Sequence, residues 1–225
     1  ALEKGICWST HHEPTVLDER TTESHNLRGE IYHARNMKPA TVYYVRPYIM
    51  SKTYEVVYGD EVKVVTHPKG TCVGTWDEGA PTPEANARCR NAINETIEYF
   101  NQWTGIKGFN LSGHYGAATP TADCSYGGWM RVSQNVPYQQ TGTMLHETNH
   151  GVGVGTTGEW YNNSNLRAET SRGLWLGPMG TKMVRFFENS ETATMTGDGT
   201  HMWPYGINGA QEDSYQPSNH ALYFA

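Results

Sequence analysis

Alternating apolar and polar positions dominate residues 1–67 and predict a series of short β-strands. The clearest runs cover residues 5–10, 37–48 and 56–66. In the second run, Val42, Tyr44 and Arg46 would lie on one face of the strand, and the residues between them on the other. The Gly59-Asp60 pair predicts a turn or bulge inside the third run. Short strands at regular spacing are typical of a β-sandwich.

The pattern changes to helical spacing after residues 67–70, which predict a linker. The elements predicted beyond it are a loop over 75–83, a helix over 83–103, strands over 109–112 and 128–133 with a loop over 117–126 between them, a helix over 143–150, a partly helical stretch over 177–190 and a glycine-rich loop over 196–206. The chain is therefore expected to form two domains, residues 1–68 and 69–225, the second of α+β class.

Charge and hydropathy exclude two classes of partner. The formal net charge is −6, the pI is about 5.9, and no basic run is present. Nucleic acids and anionic membrane surfaces are therefore not expected as partners. No apolar stretch approaches the roughly 20 residues that a membrane-spanning helix needs. We expect a chain without a transmembrane segment, most simply a monomer.

Cysteine usage and aromatic content bear on the compartment. None of the four cysteines has the C-x-x-C spacing of a structural zinc site. If the protein is exported, Cys72–Cys89 is the best candidate for a disulfide, and the alternative is free, buried thiols. The chain begins at Ala1 as if already processed or excised, and it is rich in Tyr and Trp. We expect a secreted, periplasmic or cell-surface protein.

The motif that carries chemistry is His146-Glu147-x-x-His150 in the predicted helix over 143–150. Side chains at positions i and i+4 lie on one face of a helix. Both imidazoles could therefore hold one Zn²⁺ ion through neutral nitrogens. Glu147 would lie beside the open position of the metal, where it could accept a proton from water. Hydroxyls over 141–143 are expected to cap this helix, and Gly151, Gly153 and Gly155 to end it.

The motif resembles that of the zincin metallopeptidases, on His146-Glu147-x-x-His150 and the glycine at Gly153. The resemblance implies a zincin-like domain in which a backing helix and a mixed, twisted sheet support the motif helix. It also implies that the strand over 128–133 is the sheet edge that pairs with an extended substrate. In the metzincin branch a third ligand follows three residues after the glycine. Thr156 stands at that position here, so the chain departs from the metzincin pattern.

A catalytic zinc site needs a third protein ligand. The first choice is His201, because it lies in the glycine-rich loop over 196–206, where the backbone can approach a metal closely. Glu169 is the main alternative, since it follows His150 by about one helix length, as the glutamate ligand does in the gluzincins. Glu159 is the second alternative.

Three further residues of the same loop have expected roles. Tyr205 is expected to stabilise an oxyanion, as a nearby tyrosine does in several zincins, or alternatively to be an aromatic core residue. Asp198 would orient a ligand imidazole, or simply belong to a turn. Met202 is loosely similar to the methionine turn that lies under zinc in metzincins.

The first 68 residues resemble the fibronectin type III-like modules of secreted bacterial proteins. The resemblance lies in residues 5–10, 38–46 and 58–62. It implies a partial all-β sandwich, because a full sandwich of this kind needs about 100 residues. Its implied role is spacing, docking or rigid support.

These observations together predict a secreted bacterial zinc metallopeptidase. Zn²⁺ would be held by His146, His150 and His201, Glu147 would be the general base, and Tyr205 would assist. The substrate would be a protein or glycoprotein. The alternative is a secreted module that binds glycoprotein or glycan with a zincin fold and does not hydrolyse peptides.

Overall fold

The computed structural model describes residues 1–21, 32, 34–162, 166–169, 172–188 and 190–203. These residues form a mixed α+β structure with several sheets and four α-helices, so the predicted α+β class is confirmed. The chain divides into two compact units between Lys69 and Gly70, one residue after the boundary expected from the sequence. Among the described residues, no helix combines the length and apolar content needed to cross a membrane.

The first unit is an antiparallel sheet of five strands. They are β1 (Glu3–Ser9), β2 (Glu19–Thr21), β3 (Val42–Met50), β4 (Val56–Tyr58) and β5 (Val62–Val65). Strand β3 is central: it pairs with β1 along one side and with β4 and β5 along the other. The predicted strands are present, and Gly59-Asp60 separates β4 from β5 as expected. Cys7, Trp8, Tyr43 and Tyr48 are buried.

The described residues of the first unit form a single sheet. A β-sandwich needs a second sheet packed on the first, so the predicted partial sandwich is not confirmed. The register of β3 with β1 and β5 is continuous, so Val42, Tyr44 and Arg46 share one face of the strand as predicted. The buried positions change from Tyr43 to Tyr48 and Met50, so the covered face differs between the two ends of the strand.

The second unit begins with a four-stranded sheet. Its strands are β6 (Thr71–Trp76), β7 (Lys107–Tyr115), β8 (Ala122–Ser125) and β9 (Trp129–Val132), in the order β6-β7-β9-β8. Strands β6, β7 and β9 are parallel, and β8 is antiparallel to β9. The strand over 128–133 was expected at the sheet edge, and this is wrong: β9 lies between β7 and β8, and β8 is the edge strand.

The sequence pattern missed β6 and β8. Thr75 and Trp76 were expected in a loop but belong to β6, and β8 lies inside the loop predicted over 117–126. Each of these strands is short, and each gains its hydrogen bonds from a strand that comes later in the chain. For β6 the partner β7 lies beyond a whole helix. Local periodicity carries no information on such pairings.

The helix α1 (Pro83–Trp103) supplies one side of the core. It begins where the Thr82 side chain accepts a hydrogen bond from the Ala85 amide, with proline in its first turn as predicted. Its apolar stripe includes Ile93, Ile97 and Phe100, which belong to the same buried cluster as residues of the sheet and of the next helix. Burial of each such side chain contributes about 1.5–3 kcal/mol. The core therefore fixes one face of the sheet against two helices.

The remaining described elements are α2 (Thr141–Val152), α3 (Gly158–Asn162), β10 (Arg167–Glu169), β11 (Arg172–Trp175), α4 (Pro178–Glu188), β12 (Thr196–Gly197) and β13 (Met202–Trp203). Strands β10 to β13 form an antiparallel sheet in sequence order. The predicted helices over 143–150 and 177–190 correspond to α2 and α4. The glycine-rich loop is, in its described part, the hairpin β12–β13.

All four cysteines are buried and free, so the predicted Cys72–Cys89 disulfide is wrong and the alternative of free thiols holds. Cys72 lies on β6 and Cys89 on α1, and both belong to the apolar core. Burial raises the pKa of the Cys89 thiol to about 12. These thiols therefore behave as small core residues.

Candidate metal centre

The helix that carries the motif begins at an unexpected cap. Gln140, and none of the threonine hydroxyls, accepts the hydrogen bond from the Gly142 amide at 2.9 Å. The side-chain amide of Gln140 also donates to the Thr143 hydroxyl at 2.9 Å. Met144 and Leu145 are fully buried on the side that faces the core. The helix is therefore fixed in the protein interior.

The end of α2 orients one histidine. Gly153 has a φ of 124°, and its amide donates to the carbonyls of Asn149 and His150, so it ends the helix as predicted. The chain then turns back, and the Nδ1–H group of His150 donates to the Val154 carbonyl at 2.7 Å. A carbonyl can only accept, which fixes the proton of a neutral imidazole on Nδ1 and leaves the lone pair on Nε2.

Electrostatics keep His150 neutral. Its side chain is 8% exposed, and burial is the main reason that its pKa lies below the usual value. The neighbouring His201 lowers the pKa further, and the Val154 hydrogen bond opposes both effects. A neutral imidazole with a fixed tautomer is the form that binds metal ions.

The hairpin β12–β13 holds His201. The Asp198 carboxylate accepts hydrogen bonds from the amides of Thr200 and His201, each at 2.7 Å, and lies 3.5 Å from Nδ1 of His201. This arrangement fits the orienting role expected for Asp198. A Cβ atom on Gly197 would lie 2.1 Å from the His201 carbonyl oxygen, so the turn requires glycine there.

Contacts with the segment after α2 bring the hairpin to the helix. Gly155 has a φ of +69°, and a Cβ atom on it would lie 2.3 Å from the Thr200 carbonyl oxygen. Trp160 donates its indole N–H to the Gly199 carbonyl at 3.2 Å. The guanidinium of Arg167, which is buried, donates to the Gly197 and Asp198 carbonyls at 3.1 and 3.0 Å. Close backbone approach and one buried arginine therefore place His201.

The three histidines form a nearly equilateral set. The ring centroids of His146 and His150 are 5.0 Å apart, those of His146 and His201 are 5.4 Å apart, and those of His150 and His201 are 5.2 Å apart. One nitrogen from each ring lies within 4.8 Å of the other two. Nitrogens bound to one tetrahedral Zn²⁺ at 2.0–2.1 Å lie about 3.3 Å apart. Small ring rotations would therefore let this group hold one divalent ion.

The structure places the other predicted site residues as follows. Glu159 lies in α3 and is not part of the histidine group. The backbone of Glu169 pairs with Arg172 in the β10–β11 ladder, and its side chain lies outside the described part of the chain. Tyr205 also lies outside the described residues.

Glu147 lies on α2 between the two motif histidines in sequence, and its side chain is 4% exposed. Burial raises the pKa of its carboxyl to about 8, and the nearby charge of Asp123 on β8 adds to the rise. This value describes the protein without a metal ion, and a bound cation would favour the ionised carboxylate. The raised pKa therefore belongs to the metal-free protein, and the ionised carboxylate that a general base needs would be the metal-bound form.

Several residues that build the site gave no interpretable pattern in the sequence. Gln140 caps the helix, Arg167 holds the hairpin, and Asp123 acts on Glu147 across the sheet edge. Of these, only Gln140 has a position that could have suggested its role, since it directly precedes the helix. Arg167 and Asp123 act through tertiary contacts.

We expect the metal-free protein to lose stability as the pH rises from 6.5 to 8. In this window the Glu147 carboxyl is ionised in the unfolded chain but still largely protonated in the fold, so the folded state binds the extra proton. The contribution of Glu147 to the free energy of unfolding falls by roughly 1–2 kcal/mol between pH 6.5 and 8. Urea titrations of the chelated protein and of Glu147→Gln measure it, and the variant should gain relative stability with pH. If the difference in unfolding free energy between the wild type and the variant did not change with pH, the raised pKa of Glu147 would be contradicted. Saturating Zn²⁺ should remove the pH dependence.

Gly155→Ala should weaken metal binding and destabilise the fold by about 1–3 kcal/mol. The added methyl group would collide with the Thr200 carbonyl oxygen, next to His201, at a backbone conformation that favours glycine. Metal titration with a chromogenic competitor and thermal unfolding measure the two effects. The matched control is Gly158→Ala, because its Cβ would meet only the Asn162 side chain, at 3.7 Å. Equal metal affinities of the two variants would show that the close contact between Gly155 and the Thr200 carbonyl does not position His201.

The chain matches no protein-family model, no curated protein and no solved structure. The function of the chain is therefore inferred from the motif and from the geometry of the site.

Proposed function

We propose that this chain is a zinc-dependent hydrolase of the zincin type and that it acts as an endopeptidase. The observation that carries the proposal is the convergence of His146, His150 and His201, from two separate elements, around the helix that bears Glu147. Three histidine nitrogens leave a fourth position of a tetrahedral ion open for water or substrate. Glu147 is a buried carboxyl on the same helix as two of these histidines, and a carboxylate near the ion can serve as the base in metal-assisted hydrolysis.

The residues of the chain have separate tasks in this proposal. When bound, a Zn²⁺ ion would polarise the scissile carbonyl and lower the pKa of water. Glu147 accepts a proton from the attacking water and then passes it to the leaving amine. His150 stays neutral and correctly oriented through its hydrogen bond to the Val154 carbonyl. Asp198 positions His201 by accepting a hydrogen bond from its backbone amide in the turn.

In this proposal the substrate pairs with strand β8, and β9 does not take that role. It is the edge strand of its sheet in the described structure, and an edge strand can add an extended peptide through main-chain hydrogen bonds. Its Asp123 lies close enough to Glu147 to raise the pKa of that carboxyl. A substrate paired with β8 would therefore run beside the proposed base.

Further parts of the proposal come from the sequence resemblances. Tyr205 as an oxyanion-stabilising residue stays a prediction, as do the fibronectin type III-like character of the first unit and secretion from a bacterium. A protein or glycoprotein substrate fits an edge strand next to the site, and a monomer suffices for the mechanism, because one chain supplies all three histidines.

The test combines metal analysis with an unbiased peptide digest. We expect one zinc per chain by elemental analysis and cleavage within the peptides of a library. Cleavage should stop with a chelator and return with added Zn²⁺. A protein that holds zinc but cleaves no peptide would overturn the endopeptidase assignment, and a protein that binds no metal would overturn the site itself.

A further inference from the structure

The second unit has an ordered polar surface on the side of its sheet that faces away from α1 and α2. Met130 and Val132 of β9 are fully buried, so Trp129 and Arg131 lie on the opposite, exposed side. We call this surface the Trp129 face, and it consists of Asp77, Ser112, His114, Asp123, Trp129 and Arg131. The three histidines and Glu147 do not belong to it, although Asp123 also raises the pKa of Glu147.

Strand register brings these side chains together. Ser112 on β7 lies opposite Trp129 on β9, and His114 lies opposite Arg131. Arg131 in turn lies opposite Asp123 of β8. The His114 ring lies 5.4 Å from the Trp129 ring at an angle of 32°, and the Arg131 guanidinium carbon is also 5.4 Å from the Trp129 ring. The indole therefore has a fixed setting among polar groups while it remains 47% exposed.

Hydrogen bonds hold the polar groups around the indole in place. His114 bonds to Asp77 through Nδ1 at 3.0 Å and to the Ser112 hydroxyl through Nε2 at 2.8 Å. Asp77 also accepts from the Gly79 amide at 2.8 Å. The Arg131 guanidinium donates to both carboxylate oxygens of Asp123, at 3.0 and 2.6 Å. Such fixed groups lose little entropy when a ligand binds.

The serine, histidine and aspartate have the connectivity of a hydrolytic triad, but the surroundings argue against that role. The Ser112 amide donates to the Gly128 carbonyl at 2.7 Å within the sheet, so it cannot stabilise an oxyanion. Such stabilisation is usually the largest catalytic term. The three residues fit better as a rigid group of hydrogen-bond partners.

We propose that the Trp129 face binds a neutral oligosaccharide, free or attached to a protein. A pyranose ring has an apolar face of C–H groups that stacks on an exposed indole, and a rim of hydroxyls that exchanges hydrogen bonds with planar polar side chains. Asp77 is hydrogen-bonded to His114 and Asp123 pairs with Arg131, so the named residues of the face offer no unpaired cation to an anionic ligand. Strands β7 and β9 are interior, so an extended peptide finds no free strand edge on this face.

The test is a screen of the whole chain against an array of neutral, sialylated and sulfated oligosaccharides, followed by calorimetric titration with the strongest neutral ligand. Binding of neutral members is expected. Trp129→Ala should weaken it at least about tenfold, as expected for a central aromatic anchor. Retention of no neutral oligosaccharide, or preference for the anionic ones, would overturn the proposal.

Matched variants separate this face from the rest of the molecule. Trp103→Ala removes another exposed tryptophan, 56% exposed at the end of α1, and should leave binding unchanged. His201→Ala should also leave it unchanged, because His201 does not belong to the Trp129 face. If Trp129→Ala fails to fold by circular dichroism, Arg131→Ala and His114→Ala give the answer, since each should weaken binding at least about threefold. If both Arg131→Ala and His114→Ala bound the oligosaccharide with wild-type affinity, the proposal would be wrong.

The source of the sugar is distinguished with a glycoprotein that carries neutral N-linked glycans. Retention on the immobilised protein before enzymatic deglycosylation, and its loss afterwards, assigns the face to glycans on proteins. Binding of the free oligosaccharide with no retention of the glycoprotein assigns it to free sugars.

Discussion

Glu147→Gln is expected to lower kcat/KM for peptide cleavage by about 10³-fold or more while zinc stays bound. A positioned general base contributes typically 10²–10⁴-fold, and glutamine keeps the size of the side chain but cannot accept the proton. The proposed metal ligands are His146, His150 and His201, and the substitution leaves all three in place, so the zinc content should stay at the wild-type level. Steady-state kinetics on a peptide identified by library digestion, with elemental analysis of the same sample, measure both quantities.

Two controls make the result specific to Glu147. Glu159→Gln changes another glutamate, in α3, which is not part of the histidine group and was an alternative ligand. It should keep both zinc and activity. The Glu147 variant should also show the wild-type fold by circular dichroism, because it removes a carboxyl whose burial is unfavourable when ionised. Wild-type turnover by Glu147→Gln would remove the residue from the mechanism.

His201→Ala is expected to reduce zinc affinity by more than about 100-fold. Loss of an outer partner of a metal ligand alone costs about 10–100-fold, so loss of a ligand should cost more. His150→Ala should have an effect at least as large, because this imidazole is buried and already held in the tautomer that binds metal. Competition titrations against a zinc chelator of known affinity measure both changes.

The control for this second prediction is His114→Ala. His114 is half-buried on β7 and hydrogen-bonds to Ser112 and Asp77, away from the group of three histidines. Its replacement should leave the zinc affinity unchanged. Full zinc occupancy in His201→Ala would exclude that residue as third ligand and direct the search to Glu169, the main alternative on the sequence.

Elements with strong local patterns were predictable. The helix α1 was expected over 83–103 and is observed at Pro83–Trp103. It was predictable because its apolar stripe, its N-terminal proline and the signal that ends the helix after Trp103 all lie within one segment. The helix α2 was predicted for the same reason; of the glycines expected to end it, Gly153 does so, whereas Gly151 lies within the helix. The wrong or missing predictions concern partners. Strand β9 was placed at the sheet edge, β6 and β8 were missed, and Cys72 was paired with Cys89.

The sequence by itself determined that His146 and His150 share one face of a helix, since spacing along a helix fixes which side chains are neighbours. Tertiary structure decided that His201 stands beside them and that Glu147 is buried with a raised pKa. Those outcomes depend on the left-handed turn at Gly155, the hydrogen bonds of Arg167 and the position of Asp123 on an edge strand. Each is a contact between residues far apart in the chain, and the free energy of such contacts is set by packing that no local pattern encodes.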